Sequence, residues 1–68
     1  MRQVLVYPGE SGSYVVECPS LPGCISQGHS KEEAIENIKE AIALYIEALR
    51  DQGLPVPEDH FDSILVAV

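Results

Sequence analysis

Basic residues are scarce in this sequence: four Lys and Arg stand against eleven Asp and Glu, which gives a formal net charge of −7. Nucleic-acid affinity depends mainly on Lys and Arg side chains that neutralise phosphates. The charge balance therefore argues against direct nucleic-acid binding by this chain. It favours a basic partner, or simply solubility.

Long hydrophobic runs are also absent. The segment before Pro8 is too short for a secretory signal, and no run approaches the ~20 apolar residues of a membrane span. We therefore expect a cytoplasmic protein with no membrane contact. Thiols stay reduced in that compartment, so Cys18 and Cys24 are expected to be small core or strand residues rather than a disulfide.

Aromatic residues make up only 6% of the 68 residues, so the core should be aliphatic. A chain of this length forms one small domain, here residues 1–68, and its single core is only marginally sufficient. Oligomerisation or binding of a partner would compensate for the small size of the core.

Turn residues divide the first part of the chain into three β-rich runs, at residues 3–7, 13–18 and 24–27. The first two are joined by a Gly-containing loop, which is typical of an antiparallel hairpin. In the second run Tyr14, Val16 and Cys18 share one face, while Val15 and Glu17 lie on the other. A last, almost wholly apolar strand is predicted at residues 63–68.

A long helix is predicted at about residues 31–51. Apolar residues recur there at helical spacing, namely Ala34, Ile35, Ile38, Ile42, Tyr45, Ile46 and Leu49. Ser30 and Glu33 form a predicted capping box at its start, and Gly53 suits a left-handed C-terminal cap.

The order β-β-β-α-β predicts an α+β fold, a mixed four-stranded sheet with one long helix on one face. A right-handed crossover through the helix places the last strand beside the first and parallel to it. This is a degenerate, partial ribonuclease-H-like layout.

Two ordered motifs resemble the HicB family of antitoxins. The first is Pro-Ser-Leu-Pro-Gly-Cys at residues 19–24, and the second is Ser-Gln-Gly-His-Ser-Lys-Glu-Glu-Ala at residues 26–34. The similarity continues at residues 12–16, 41–49 and 53–57, so it covers nearly the whole chain. The motif positions, which we expect to form a structural turn and a helix cap, are Pro19, Leu21, Pro22, Gly23, Cys24, Gly28, Ser30 and Glu33.

The resemblance implies a non-catalytic antitoxin that inhibits a small, basic, mRNA-cleaving HicA-type toxin. Many family members carry a C-terminal DNA-binding extension, whereas this sequence stops at Val68. We therefore expect an N-terminal-type HicB domain without that extension. A solitary, homo-oligomeric HicB-like binding protein without a toxin is the alternative.

An enzyme is a further alternative, in the form of a minimal metal-dependent nuclease using Glu36 or Glu40. A ribonuclease-H site needs carboxylates on its outer strands to hold divalent cations, and neither predicted outer strand contains one. Four possible zinc ligands, Cys18, Cys24, His29 and His60, lack the spacing of zinc motifs. We therefore predict no catalytic, metal or cofactor site.

Both faces of the predicted outer strands are apolar, although one helix covers only one face of a sheet. Strands with one solvated face usually alternate, and an exposed apolar patch normally marks an interface. We therefore expect a homo-oligomer or a partner-binding surface on the open face, at Leu5, Tyr7, Val15, Glu17 and Leu65.

Overall fold

The computed structural model describes residues 2–59, so the predicted strand at 63–68, with Leu65, lies outside the described residues, as does His60. The described elements are strand β1 (Leu5–Pro8), a 3-10 turn (Glu10–Gly12), strand β2 (Tyr14–Glu17), strand β3 (Ile25–Gly28) and helix α1 (Lys31–Asp51). The prediction of an α+β fold with three antiparallel strands before one long helix is confirmed.

The described sheet has the order β1-β2-β3 with antiparallel pairing throughout. Each strand is somewhat shorter or shifted relative to its predicted run. The sequence predicts that the first strand stops before Pro8, but Pro8 is the last residue of β1 and pairs with Tyr14. Proline is tolerated there because β1 is an edge strand of the described sheet, where a missing N–H need not break the ladder.

The core lies between α1 and one face of the sheet. Six apolar residues are buried there: Val16, Cys18, Leu21, Cys24, Ala34 and Ile38. Val6 and Tyr14 pack against this cluster from the sheet, and Ile42 and Tyr45 pack against it from the helix. The alternation predicted for β2 is confirmed, since Val16 is buried while its neighbours along the strand are partly exposed.

Helix α1 begins and ends where the sequence predicts. At its C-terminus Gly53 has φ +71°, the left-handed conformation that glycine adopts without strain. Leu54 N–H donates to Leu49 O at 2.9 Å, and Gly53 N–H donates to Arg50 O at 3.0 Å. These two bonds form a Schellman motif, which satisfies carbonyls left free by the last turn.

One position of the predicted helical stripe is placed differently. Ile35 was expected to face the core but is 37% exposed. Ile35 lies toward the border of the stripe, whereas Ala34 and Ile38 are buried. No helix among the described residues is both long enough and apolar enough to cross a membrane.

Candidate binding surface

The motif at residues 19–24 forms two consecutive β-turns. Leu21 N–H donates to Cys18 O, and Cys24 N–H donates to Leu21 O, both at 3.0 Å. Each turn has proline at its second position, where the fixed φ of the ring is favourable. Gly23 follows Pro22 with φ +81°, as a type II turn requires at its third position.

Leu21 is shared by both turns, and its side chain is fully buried in the core. The Tyr45 hydroxyl donates to Pro22 O at 2.8 Å and so fastens the second turn to α1. Across the base of the loop, Cys18 N–H donates to Cys24 O at 3.0 Å. These contacts give the turn residues a structural part: they connect two strands and supply core surface beneath the helix.

The second motif positions the start of α1. Ser30 Oγ accepts from Glu33 N–H at 3.1 Å and caps the helix. Glu33 Oε1 accepts from His29 N–H at 3.1 Å, one residue before the N–H that a standard capping box would use. Gly28 lies directly under the helix, because a Cβ at that position would be 2.5 Å from Ala34 N.

A polar network for which the sequence gives no signal connects distant parts of the chain. Ser20 is 7% exposed, and its hydroxyl accepts from Arg2 Nη1 at 2.9 Å and donates to Asp59 Oδ1 at 3.0 Å. Asp59 Oδ2 also accepts from Gln3 N–H at 3.0 Å. The partners are up to 56 residues apart, and a serine between two prolines gives no sequence signal beyond that of a turn.

The face of the sheet opposite α1 is open among the described residues. The strand register places Leu5, Glu17 and Ile25 in one cross-strand row. A second row contains Tyr7, Val15 and Gln27. The structure therefore brings together the four predicted surface residues that lie within residues 2–59. We call these two rows the open sheet face.

Exposure on the open sheet face is high for large apolar side chains. Leu5 is 50% exposed, Tyr7 42% and Ile25 55%. Ile25 was not among the predicted surface residues. It alternates with residues that face the helix in a strand of only four residues, and so short a run carries little periodicity.

The outer surface of α1 carries most of the acidic residues and no converging carboxylate site. Glu36 and Glu40 are exposed, and Glu36 pairs with Lys39 at 3.3 Å on the helix surface. Within residues 2–59, no group of three or more His, Cys, Asp and Glu side chains could hold a metal ion.

The possible zinc ligands that can be described are separated. Cys18 and Cys24 are free, buried thiols in the core, whereas His29 is exposed before the helix cap. Burial, and to a lesser extent the neighbouring Cys18, raises the pKa of the Cys24 thiol above its ordinary 9.0, although Arg2 opposes the shift. A neutral thiol in this position is a small core residue.

The sequence and the fold of this chain are similar to those of known proteins. Residues 3–65 match the family model of the HicB-like antitoxin of bacterial toxin–antitoxin systems. A UPF0150 protein of Thermoplasma acidophilum is 48% identical over 63 residues, which cover 93% of this chain and 91% of that protein. A UPF0150 protein of Synechocystis is 52% identical over 56 residues, covering 82% of this chain and 71% of the relative.

Among solved structures, the N-terminal domain of the Burkholderia pseudomallei antitoxin HicB is similar to this chain. The two agree with a TM-score of 0.72 and 31% sequence identity. The match covers 91% of this chain and 69% of the Burkholderia chain.

Proposed function

Because the chain belongs to the HicB-like antitoxin family of bacterial toxin–antitoxin systems, we propose that it binds and inhibits a small, basic HicA-type toxin that cleaves mRNA. The formal charge of −7 supports a basic partner, since an acidic protein can compete with RNA for a basic surface. The observation that carries the proposal is the match of residues 3–65 to the HicB-like antitoxin family. The open sheet face supports it, because large apolar side chains are exposed there.

The test is direct binding. The reading frame beside the gene of this chain should encode a basic protein of fewer than about a hundred residues, a size implied by the family resemblance. Titration of a catalytically inactive form of that protein with this chain should show a stoichiometric complex. The absence of such a frame, or of any heat of binding at micromolar concentrations, would contradict the proposal and favour a solitary binding protein.

A homo-oligomer is a second candidate, supported by the same exposed face. Leu5, Tyr7 and Ile25 are each at least 42% exposed, and apolar patches of this kind usually mark interfaces. Burial of apolar surface contributes about 25 cal/mol per Å2, which would add useful stability to a small core. Light scattering of the isolated protein at micromolar concentration distinguishes an oligomer from a monomer.

The proposal gives the chain no catalytic role. Glu36 and Glu40 are exposed and lack converging acids among the described residues, which supports this assignment. Incubation with single-stranded RNA or an RNA–DNA hybrid, in magnesium or manganese, should leave the nucleic acid intact. Metal-dependent cleavage that disappears in Glu36→Gln or Glu40→Gln would establish the nuclease alternative instead.

We also propose that residues 1–68 form a single domain. In it a fourth strand lies beside β1, in a partial ribonuclease-H-like layout. Asp59, the last described residue, binds Gln3 N–H and so brings the chain beside the start of β1. An apolar groove of about 550 Å3 lies next to this point, lined by Arg2, Val4, Ile35, Ile38, Lys39, Ile42 and Ile46. A strand beside β1 would cover that groove.

The proposed setting is the cytoplasm, where a toxin that cleaves mRNA acts. Direct nucleic-acid binding by this chain is not part of the proposal, because four basic residues cannot neutralise several phosphates against eleven acids. An electrophoretic shift of promoter DNA at near-physiological salt and sub-micromolar protein would overturn this point.

A further inference from the structure

The open sheet face carries one acidic side chain, that of the last residue of β2. Glu17 lies on the central strand, between Leu5 on one side and Ile25 on the other. It is only partly exposed, and it makes no side-chain hydrogen bond or ion pair with any residue in the described part of the chain. A partner that covered this face would therefore remove a carboxylate from water, which costs free energy unless a cation pairs with it.

The cations of this chain lie elsewhere. Lys31, Lys39 and Arg50 are all on α1, which packs against the opposite face of the sheet. Arg2 is directed to Ser20 Oγ and Pro57 O. None of the four basic residues is therefore on the open sheet face.

This distribution of charge discriminates between possible occupants. A two-fold dimer built on the face would use the same surface of both copies, and would bury two Glu17 carboxylates with no cation to neutralise either. A basic protein brings the missing charge. The apolar rows then supply contact area, while Glu17 determines which partner fits.

We propose that the open sheet face is the surface that binds the basic toxin, and that Glu17 accepts an ion pair from a Lys or Arg of the toxin between Leu5 and Ile25. This inference rests on the proposed function, because it locates the surface through which the toxin is inhibited. A second copy of the chain and a partner on the acidic side of α1 are the competing outcomes.

Matched variants separate these outcomes. Glu17→Gln and Leu5→Ser alter the open sheet face, while Glu40→Gln and Leu44→Ser make the same changes at exposed positions of α1, where Leu44 is 60% exposed. The probe is the inactive form of the basic protein encoded beside this gene, and its dissociation constant is measured for all four variants. Urea unfolding of each variant verifies that it is folded.

The expected result is a loss of affinity of about thirtyfold for Glu17→Gln, mainly through faster dissociation, and of about tenfold for Leu5→Ser. The two helix variants should bind within about twofold of the wild type, since surface substitutions outside the interface have small effects. Equal losses in the helix variants, or unchanged binding by the folded sheet variants, would overturn the location while leaving the proposed function intact. No binding by the wild type would contradict the proposed function itself.

Sedimentation of the isolated chain tests the same inference without the toxin. The wild type should be monomeric, and Glu17→Leu should self-associate because it removes the charge that opposes pairing of two apolar faces. Glu40→Leu, the matched change on α1, should stay monomeric. A wild-type dimer that Leu5→Ser dissociates would assign the face to a second copy and overturn the inference.

Discussion

At the scale of single residues, the buried hydroxyl of Ser20 connects three parts of the chain. It binds Arg2 near the N-terminus and Asp59 beyond the helix, while its own backbone belongs to the turn after β2. The sequence indicates the turn, because Pro19 and Pro22 flank it, but not the network. Contacts between residues so far apart depend on the folded arrangement and leave no local pattern.

Replacement of Ser20 by alanine should lower the free energy of unfolding by about 1–2 kcal/mol. The change removes one acceptor and one donor from a mostly buried site, and it leaves the Asp59 carboxylate short of a partner. Urea unfolding measures the effect. Ser26→Ala, in the middle of β3, is the control and should change stability by less than about 0.5 kcal/mol; an equal effect of the two variants would contradict this account of Ser20.

The Cys24 thiol makes stability depend on pH in the alkaline range. Burial raises its pKa in the folded protein, so the native state holds this proton more tightly than the unfolded chain. Its contribution is fully present below the ordinary pKa of 9.0 and is lost as pH rises from there through the folded pKa.

The free energy of unfolding should therefore fall as pH rises above the ordinary thiol pKa of 9.0, and Cys24→Ala should show a shallower fall over the same range. Urea unfolding at several pH values gives both slopes. The difference in slope between the wild type and Cys24→Ala is the quantity to compare. Parallel curves would show that Cys24 does not contribute.

At the scale of elements, the helix could be predicted accurately and the sheet only in part. Helix α1 has twenty-one residues, a capping serine and a terminal glycine, so pattern and end signals agree over several turns. The strands have four residues each, and their ends depend on pairing partners. For this reason the sequence does not predict that Pro8 belongs to β1 or that Ile25 lies on the open sheet face.

Close packing of α1 on β3 predicts a large effect at Gly28. A Cβ at this position would lie 2.5 Å from Ala34 N and 2.9 Å from Glu33 C, both backbone atoms that cannot rotate away. Gly28→Ala should therefore lower the free energy of unfolding by about 2–3 kcal/mol, as overpacking does elsewhere.

Gly12→Ala provides the comparison for Gly28→Ala. No atom lies within 4 Å of a Cβ at Gly12, so only its φ of +77° opposes the change, at a cost of about 1 kcal/mol. Thermal unfolding of the two variants ranks them. A Gly28→Ala protein as stable as the wild type would mean that the helix is not held against β3 at this distance.

At the scale of the whole molecule, the separation of charge from apolar surface organises the proposed function. The acidic side chains lie largely along α1, and the apolar side chains that remain exposed on the sheet lie on its other side. The net charge and the family resemblance could both be read from the sequence. The cross-strand rows of the open sheet face could be identified only from the register of the three strands.

Charge should control how fast a basic toxin associates. The formal charge of −7 attracts a positive partner over distances that salt screens, with a Debye length of roughly 8 Å at physiological ionic strength. Stopped-flow association should therefore be about tenfold or more faster at low salt than at high salt. A rate constant that does not change with salt would indicate that the acidic residues serve only solubility.

Inhibition of RNA cleavage tests the central claim most directly. The active basic protein encoded beside this gene is incubated with a labelled single-stranded RNA while this chain is added in increasing amounts. We expect cleavage to fall in proportion to the added chain and to stop near one chain per toxin, while Glu17→Gln should require a clear excess. Cleavage that continues unchanged in the presence of excess folded wild-type chain would contradict it.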